Sequence, residues 1–473
     1  MKTEHINIFI HRRDFRIQDN LALNKLIDAD PNTKIFHIFI FNPKQIDPKI
    51  NKYFSKNSVE FLVQSLHDLN HQLNDGLHYF YGTDIDILSR LLTLFRVNFI
   101  AFNKDYTPFA IKRDIELQEW CDSKNIGYVI ANDYTLFNFN DIKTKNNTPY
   151  EIFTPFYNTC LQKINNIQDS VYLDKKKHKI FKKKNFNLNI KNIDQYYFNT
   201  PNPELASKGG RTYALEIITK ILNGKYANYK LNRDYPYLDS TTHLSAYIKY
   251  GCVSIREVYF AMKKRHGIEN NSLLRELLWR EFYAHIAYHF PRVLIGQVSG
   301  KNHAFKEKYD KIPWVYNNFY WKAFTSGETG FPFVDAGIRQ MLKSGWCHNR
   351  CRMVVASFAA KNLRLPPNDV ERWFASNLID YDPCSNSGGI FWTYSIGSDA
   401  QPYFRIFNPF IQAVKYDPQA KYIKKWIPEL KDVPVETIHK WQDYIDKDDE
   451  INYPSPIVNH ADSKKTILLF TSL

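Results

Sequence analysis

The first 140 residues alternate continuous β-rich apolar runs with longer amphipathic stretches, a pattern that few architectures accept. The runs at 6–10, 35–41, 79–81, 98–102 and 127–130 are apolar almost throughout, as strands buried on both faces require. Helix-like stretches fall between them at about 20–29, 56–74, 84–95 and 108–123. Strand and helix in alternation predict an α/β domain with a Rossmann-like, doubly wound parallel sheet. No G-x-G-x-x-G or G-x-x-x-x-G-K follows any run, so a dinucleotide or P-loop site is not expected there.

From about 140 to 200 the pattern dissolves into Asn, Lys and Asp, apart from one helix-like piece at 150–157. This reads as an interdomain connection. After 200 the text is helical almost throughout, rich in aromatics, with no convincing strand and no internal repeat. The expected organisation is an α/β domain over 1–140, a linker over 141–200 and an all-α domain over 201–473.

Lys and Arg number 63 against 49 Asp and Glu, a formal net charge of +14, which points to a polyanionic partner. Residues 175–184 hold seven lysines and no acid, either a solvated basic linker or a phosphate-contacting arm. No apolar run reaches the ~18 residues of a membrane span, and the start lacks a secretory h-region. A soluble monomer is expected, cytoplasmic, or nuclear in a eukaryote. The six cysteines are scattered, so reduced thiols are expected.

Five clusters in the helical half combine residues that a plain apolar core does not need. In the first, Tyr229 and Arg233-Asp234-Tyr235-Pro236 precede Thr241-Thr242-His243-Leu244-Ser245. Hydroxyls and free backbone N–H groups at a helix start suit a diphosphate, and the same run is also the ordinary form of an N-cap. In the second, helical spacing puts Glu276, Trp279, Arg280 and Tyr283 on one face, a ligand wall or a solvent-facing ion pair beside a half-buried tryptophan. The third runs from Trp346 to Met353, with Asn349 and Met353 four apart and Arg352 beside them. Its Cys347, His348 and Cys351 lack a second ligand cluster at zinc spacing, so no metal is expected and His348 reads as structural. In the fourth, Asp380-Tyr381-Asp382-Pro383-Cys384-Ser385-Asn386 precedes Gly388-Gly389 and Trp392, a place where backbone can approach a ligand closely. The fifth, Pro402 to Pro409, contains Arg405.

Taken in this order the clusters resemble the photolyase/cryptochrome family along nearly the whole chain, most closely its class I cyclobutane pyrimidine dimer branch. His11-Arg12-Arg13-Asp14-Phe15-Arg16-Ile17-Gln18-Asp19-Asn20 resembles that family's first strand-loop, and Tyr403 to Pro409 its most recognisable stretch. The resemblance implies an α/β antenna domain joined to a helical domain that holds FAD in a U-shape. It also implies UV-damaged DNA as partner, with the lesion flipped above the flavin and split by an electron from excited, reduced FAD. By the same resemblance Tyr229 and Thr241, Thr242, His243, Leu244 and Ser245 belong to the FAD diphosphate and ribityl site. Glu276, Arg280, Tyr283, Asn349, Tyr381 and Asp382 join them on the cofactor side. Arg352 and Asp380 form the charged pair beside the isoalloxazine, and Asn386 faces flavin N5. Glu276 and Trp279 meet the flipped dimer, Asn349 and Met353 floor its pocket, Trp392 walls it, and Arg350 and Arg405 stand on the phosphate side. Glu276, Asn386 and Asn349 are the expected catalytic residues.

Asn349 and Met353 stand where (6-4) photolyases have a histidine pair, which favours cyclobutane dimers. Asp380 through Asn386 is also similar to DASH cryptochromes, while Met353 replaces their usual glutamine. Of the class's three-tryptophan wire only Trp314 remains, with Pro367 and Ile390 at the other two positions. Photoreduction of FAD is therefore expected to be slow or to use Trp346, Trp373, Tyr381 or Trp392. No family-typical extension follows about Pro456, which favours an enzyme over a cryptochrome-like blue-light photoreceptor. An antenna pigment (folate, deazaflavin or flavin) has only Lys44, Asn103 and Tyr106 as candidates, and an empty pocket is the alternative.

Overall fold

The computed structural model describes residues 4–182, 190, 192–197, 200–294, 305, 312–399, 406–444 and 451–469. Strands β1 (His5–His11), β2 (Lys34–Phe41), β3 (Leu77–Tyr81), β4 (Arg96–Asn103) and β5 (Gly127–Ala131) form one sheet. All are parallel, in the order β3-β2-β1-β4-β5. Each observed strand contains its expected run, because β1 and β2 are buried at nearly every position and so carry no polar alternation. The helices Asp84–Leu94 and Pro108–Ser123 cover one face through Leu88, Leu91, Leu117 and Cys121. Leu21–Ala29 covers the other through Leu23, Leu26 and Ile27.

The strand order reverses between β1 and β4, and the motif 11–20 leaves the sheet at that point. In open α/β sheets this crevice is where ligands usually sit. Here the protein fills it with its own charges. Arg12 pairs with Asp84 at 2.7 Å and with Asp114. Arg16 pairs with Asp133 and donates to the carbonyls of Asp19 at 2.7 Å and Gly251 at 3.0 Å. Arg256 spans Asp19 at 3.1 Å and Asp133 at 2.6 Å, and Ser254 donates to Asp19. Arg16, Asp19, Asp133 and Arg256 are all buried, so each charge is desolvated and held by an opposite one. Gly251 has φ +63°, and a Cβ there would lie 2.1 Å from the Arg13 carbonyl, so only glycine permits this approach.

The basic stretch expected in a connection is laid against the sheet. Ile35 N–H donates to the Lys179 carbonyl at 2.7 Å, and Phe181 N–H donates back to Ile35 at 2.9 Å. The Phe181 ring joins the core. His178 reaches buried His37 at 2.9 Å, and His37 reaches His11 at 3.0 Å. Burial, together with the neighbouring histidines, pushes the His37 imidazole well below its usual range. Lys175, Lys176, Lys177, Lys179 and Lys182 are exposed, and Lys183 and Lys184 lie outside the described residues.

The chain divides into two compact units: Met1–Pro203 with Ser207–Ala227 and His243–Pro291, and Glu204–Ala206 with Asn228–Thr242 and Arg292–Leu473. In the first, the sheet is joined by the helices Phe153–Lys163, Arg211–Leu222, Ile255–His266 and Ser272–His289. Ile255–His266 starts at a full capping box, Ser254 with Glu257. In the second, Pro332–Ser344 packs on Asn349–Lys361, which in turn packs on Pro383–Thr393. Among the described residues no named strand follows residue 200, and no helix is long and apolar enough to cross a membrane.

Candidate functional site

In the first unit, the helix Ser272–His289 carries Glu276, Trp279, Arg280 and Tyr283. Trp279 is half-buried. Its ring lies flat on Phe153, centroids 3.6 Å apart and planes 7° from parallel, with Tyr283 at 5.6 Å. Arg280, expected on the flavin side, donates to the Tyr134 carbonyl at 2.9 Å and lies 4.0 Å from that ring's centre. Next to it, buried Glu281 accepts from Leu136 N–H at 3.0 Å, and burial raises its carboxyl to about 7.

The hydroxyl run does not act as a helix cap. The helix Ser245–Lys249 begins after Leu244, and no side chain caps it. His243 takes a left-handed conformation, φ +54°. Thr241 Oγ1 is buried and makes no hydrogen bond, a polar atom that an added acceptor would satisfy.

In the second unit, the helices Asn349–Lys361 and Pro383–Thr393 hold Asn349, Arg350, Arg352, Met353, Asn386 and Trp392, while Asp380, Tyr381 and Asp382 lie just before the latter. Arg352 donates through Nη2 to both oxygens of buried Asp380 at 3.0 and 2.9 Å, and through Nε to the Cys347 carbonyl at 2.7 Å. Asn349, the first residue of its helix, donates to Met353 Sδ at 3.7 Å. His348 caps that helix by accepting from Arg350 N–H. Arg350 pairs with Asp234 at 2.8 Å and lies 4.3 Å from the Tyr416 ring centre. Asp382 caps Pro383–Thr393 by accepting from Ser385 N–H at 3.0 Å. Trp392 is half-buried, and Arg405 lies outside the described residues.

Asn386 exposes a residue that the sequence did not mark. Its Nδ2 donates to Glu371 Oε1 at 2.9 Å and to the Glu371 carbonyl at 3.3 Å, which leaves the amide oxygen as the group it presents. Glu371 is fully buried, and burial raises its carboxyl to about 7 against hydrogen bonds from Asn386, Ser387 and Tyr381. No spacing pattern announces this pair, since the two lie 15 positions apart on different helices.

The three positions matched to the electron wire have these surroundings. Trp314 packs 5.1 Å from the Tyr394 ring, Ile390 is buried aliphatic core, and Pro367 opens a helix. Trp373 instead meets Phe324 at 4.9 Å. Of the antenna candidates, Asn103 is consumed inside the sheet: Nδ2 donates to Asp14 at 2.6 Å and to Asn20 at 2.8 Å, and Oδ1 accepts from Ala22 N–H. Lys44 is exposed. Tyr106 lines a cavity of about 490 Å³ with Ile111, Ile115 and Tyr288.

The Thr241 hydroxyl, the Arg352–Asp380 pair and the oriented Asn386 amide are donors and acceptors of the kinds that a nucleotide cofactor needs. All of these groups stand in the second unit, and the first holds the parallel α/β sheet. Residues 7–174 match the family model described as DNA photolyase, and residues 273–470 the one described as FAD binding domain of DNA photolyase. The chain belongs to the DNA photolyase family, a light-dependent DNA-repair enzyme with FAD as cofactor. A deoxyribodipyrimidine photo-lyase of Buchnera aphidicola is 33% identical over 98% of this chain and 96% of its own length. The structure of a Sulfolobus tokodaii photolyase with two FAD molecules superposes with TM-score 0.82 at 31% identity, covering 99% of this chain and all of that one. A class III photolyase of Agrobacterium tumefaciens gives TM-score 0.86 at 26% identity, covering 99% and 98%.

Proposed function

We propose that the substrate is the cyclobutane pyrimidine dimer in DNA. The observation that carries this reading is the Asn349–Met353 pair, an amide donating to a thioether at 3.7 Å. Neither group is a Brønsted acid at neutral pH, so the pair suits a reaction that needs no proton delivered to the lesion. Extrusion is cheapest for a badly stacked base pair, which a dimer is. Trp279 offers a ring face to the extruded pyrimidines. Glu276 offers its carboxyl to their polar edge. FAD, when bound reduced and excited by light, would lend the electron that opens the ring and recover it from the split pyrimidines, with no net redox change. The chain's own work is to position and to exclude water. Thr241, Arg352, Asp380 and Asn386 hold the cofactor, and Asn386 presents an acceptor oxygen because Glu371 takes its N–H groups.

The test is lesion choice. Oligonucleotides carrying either a cyclobutane dimer or a (6-4) product are illuminated with reduced protein. Loss of the dimer alone is expected, and repair of the (6-4) product would overturn the assignment. The groove beside Tyr106 is the place we propose for a light-harvesting chromophore. An absorption band beyond that of FAD, lost in Tyr106→Ala, is the expected sign, and an unchanged spectrum would remove it.

A further inference from the structure

The helix Phe153–Lys163 lies in the stretch that sequence alone treats as a connection, yet it is built into the lesion-facing helix. Phe153 is buried. Its ring is parallel to Trp279 within 7° at 3.6 Å, meets Phe282 edge-on at 5.7 Å and Tyr157 at 5.6 Å, and has the Arg275 guanidinium 4.9 Å from its centre. Arg275 lies 4.9 Å from the Tyr157 ring as well. Arg275 and Trp279 are four apart on Ser272–His289, so Phe153 fills the space between two side chains of one helix face.

A half-buried indole would ordinarily turn about χ1 and χ2. Here one face is covered by a ring that is itself locked in core, so the plane of Trp279 is fixed before any base arrives. We propose that Phe153 is a positioning residue for lesion recognition: it backs Trp279 and presents the indole's other face, already oriented, to the extruded pyrimidine pair. The inference rests on the reading of Trp279 as a lesion wall. Pre-organisation of this kind acts on binding and not on bond breaking, because the rotamer freedom that would be lost on contact has been removed during folding. Cation and aromatic layers behind the indole also strengthen its stacking.

The experiment uses the FAD-loaded enzyme in the dark and measures binding to a dimer-containing oligonucleotide and to its undamaged counterpart. Phe153→Leu removes the stacking ring at similar volume, and Phe153→Tyr restores it. The dissociation constant for the dimer is expected to rise about 3- to 10-fold in Phe153→Leu. Undamaged DNA should bind as before, repair per absorbed photon at saturating DNA should be unchanged, and Phe153→Tyr should behave as wild type. In a Trp279→Ala background, Phe153→Leu should add no further loss. Should Phe153→Leu not fold, Phe153→Met carries the same comparison. An unchanged dimer affinity, an equal loss for undamaged DNA, or an additive loss in the Trp279→Ala background would each overturn the proposal. If Trp279→Ala itself binds the dimer normally, it is the lesion-wall reading that falls.

Discussion

Asn386 is bound by Glu371 twice, Nδ2 to the carboxyl at 2.9 Å and to the backbone carbonyl at 3.3 Å. An amide held in this way cannot flip, so the atom it offers to a cofactor is settled by a buried acid on the neighbouring helix. The acid carries a cost. Its carboxyl titrates at about 7 in the folded chain against an ordinary 4.5. The unfolded chain therefore releases this proton first, and stability attributable to Glu371 declines as pH rises from about 4.5 to about 7, by roughly 3 kcal/mol in all.

Glu371→Gln keeps an acceptor for Asn386 and removes the ionisation. Its melting temperature relative to wild type should climb between pH 5 and pH 8. Thermal unfolding of both proteins across that range measures it, and a constant difference would show that Glu371 does not titrate there.

Asn386→Asp replaces a donor with a second carboxyl against the first. Two such groups share one proton, so the variant should lose on the order of 1–3 kcal/mol at pH 8 and less at pH 5.5. Equal losses at the two pH values would contradict the pairing.

The charges at the sheet's reversal point should behave as one unit. Arg256 neutralises both Asp19 and Asp133 in a buried setting. Arg256→Ala leaves those carboxylates short of a partner and should cost about 3–5 kcal/mol in chemical denaturation. A loss under about 1 kcal/mol would show that water enters and replaces the guanidinium.

Trp314 is paired with Tyr394 at 5.1 Å and not with a second tryptophan at the expected positions. Photoreduction of the oxidised purified protein should therefore be slow, and Trp314→Phe should change it little. Rapid photoreduction abolished by that single substitution would show an intact route through Trp314.

The sheet could be read from sequence because continuous apolar runs have one good explanation in an α/β chain, and every strand contains its expected run. The motif 11–20 was recognisable as text but not as chemistry. Its partners Asp84, Asp114, Asp133 and Arg256 stand up to 237 positions away, and no local pattern encodes a pairing at that range. The same limit hid Glu371, an acid in an ordinary amphipathic helix until Asn386 is packed on it. Phe153 was hidden for the opposite reason: the polar text around it resembles a linker, while its partner Trp279 is 126 residues later in sequence, a distance that only the fold closes. Arg280 shows a partner that the motif did not announce, since its guanidinium is engaged by Tyr134, 146 positions away.

The most direct measurement is repair of a dimer-containing oligonucleotide by the FAD-loaded, chemically reduced protein, with duplex and single strand in parallel, under blue light and in the dark. Restoration of the monomeric pyrimidines in duplex under light, with none in the dark, is the predicted result. Repair confined to the single strand would indicate DASH-like behaviour, and no repair of either substrate under light would contradict the assignment of this chain as a dimer-splitting enzyme.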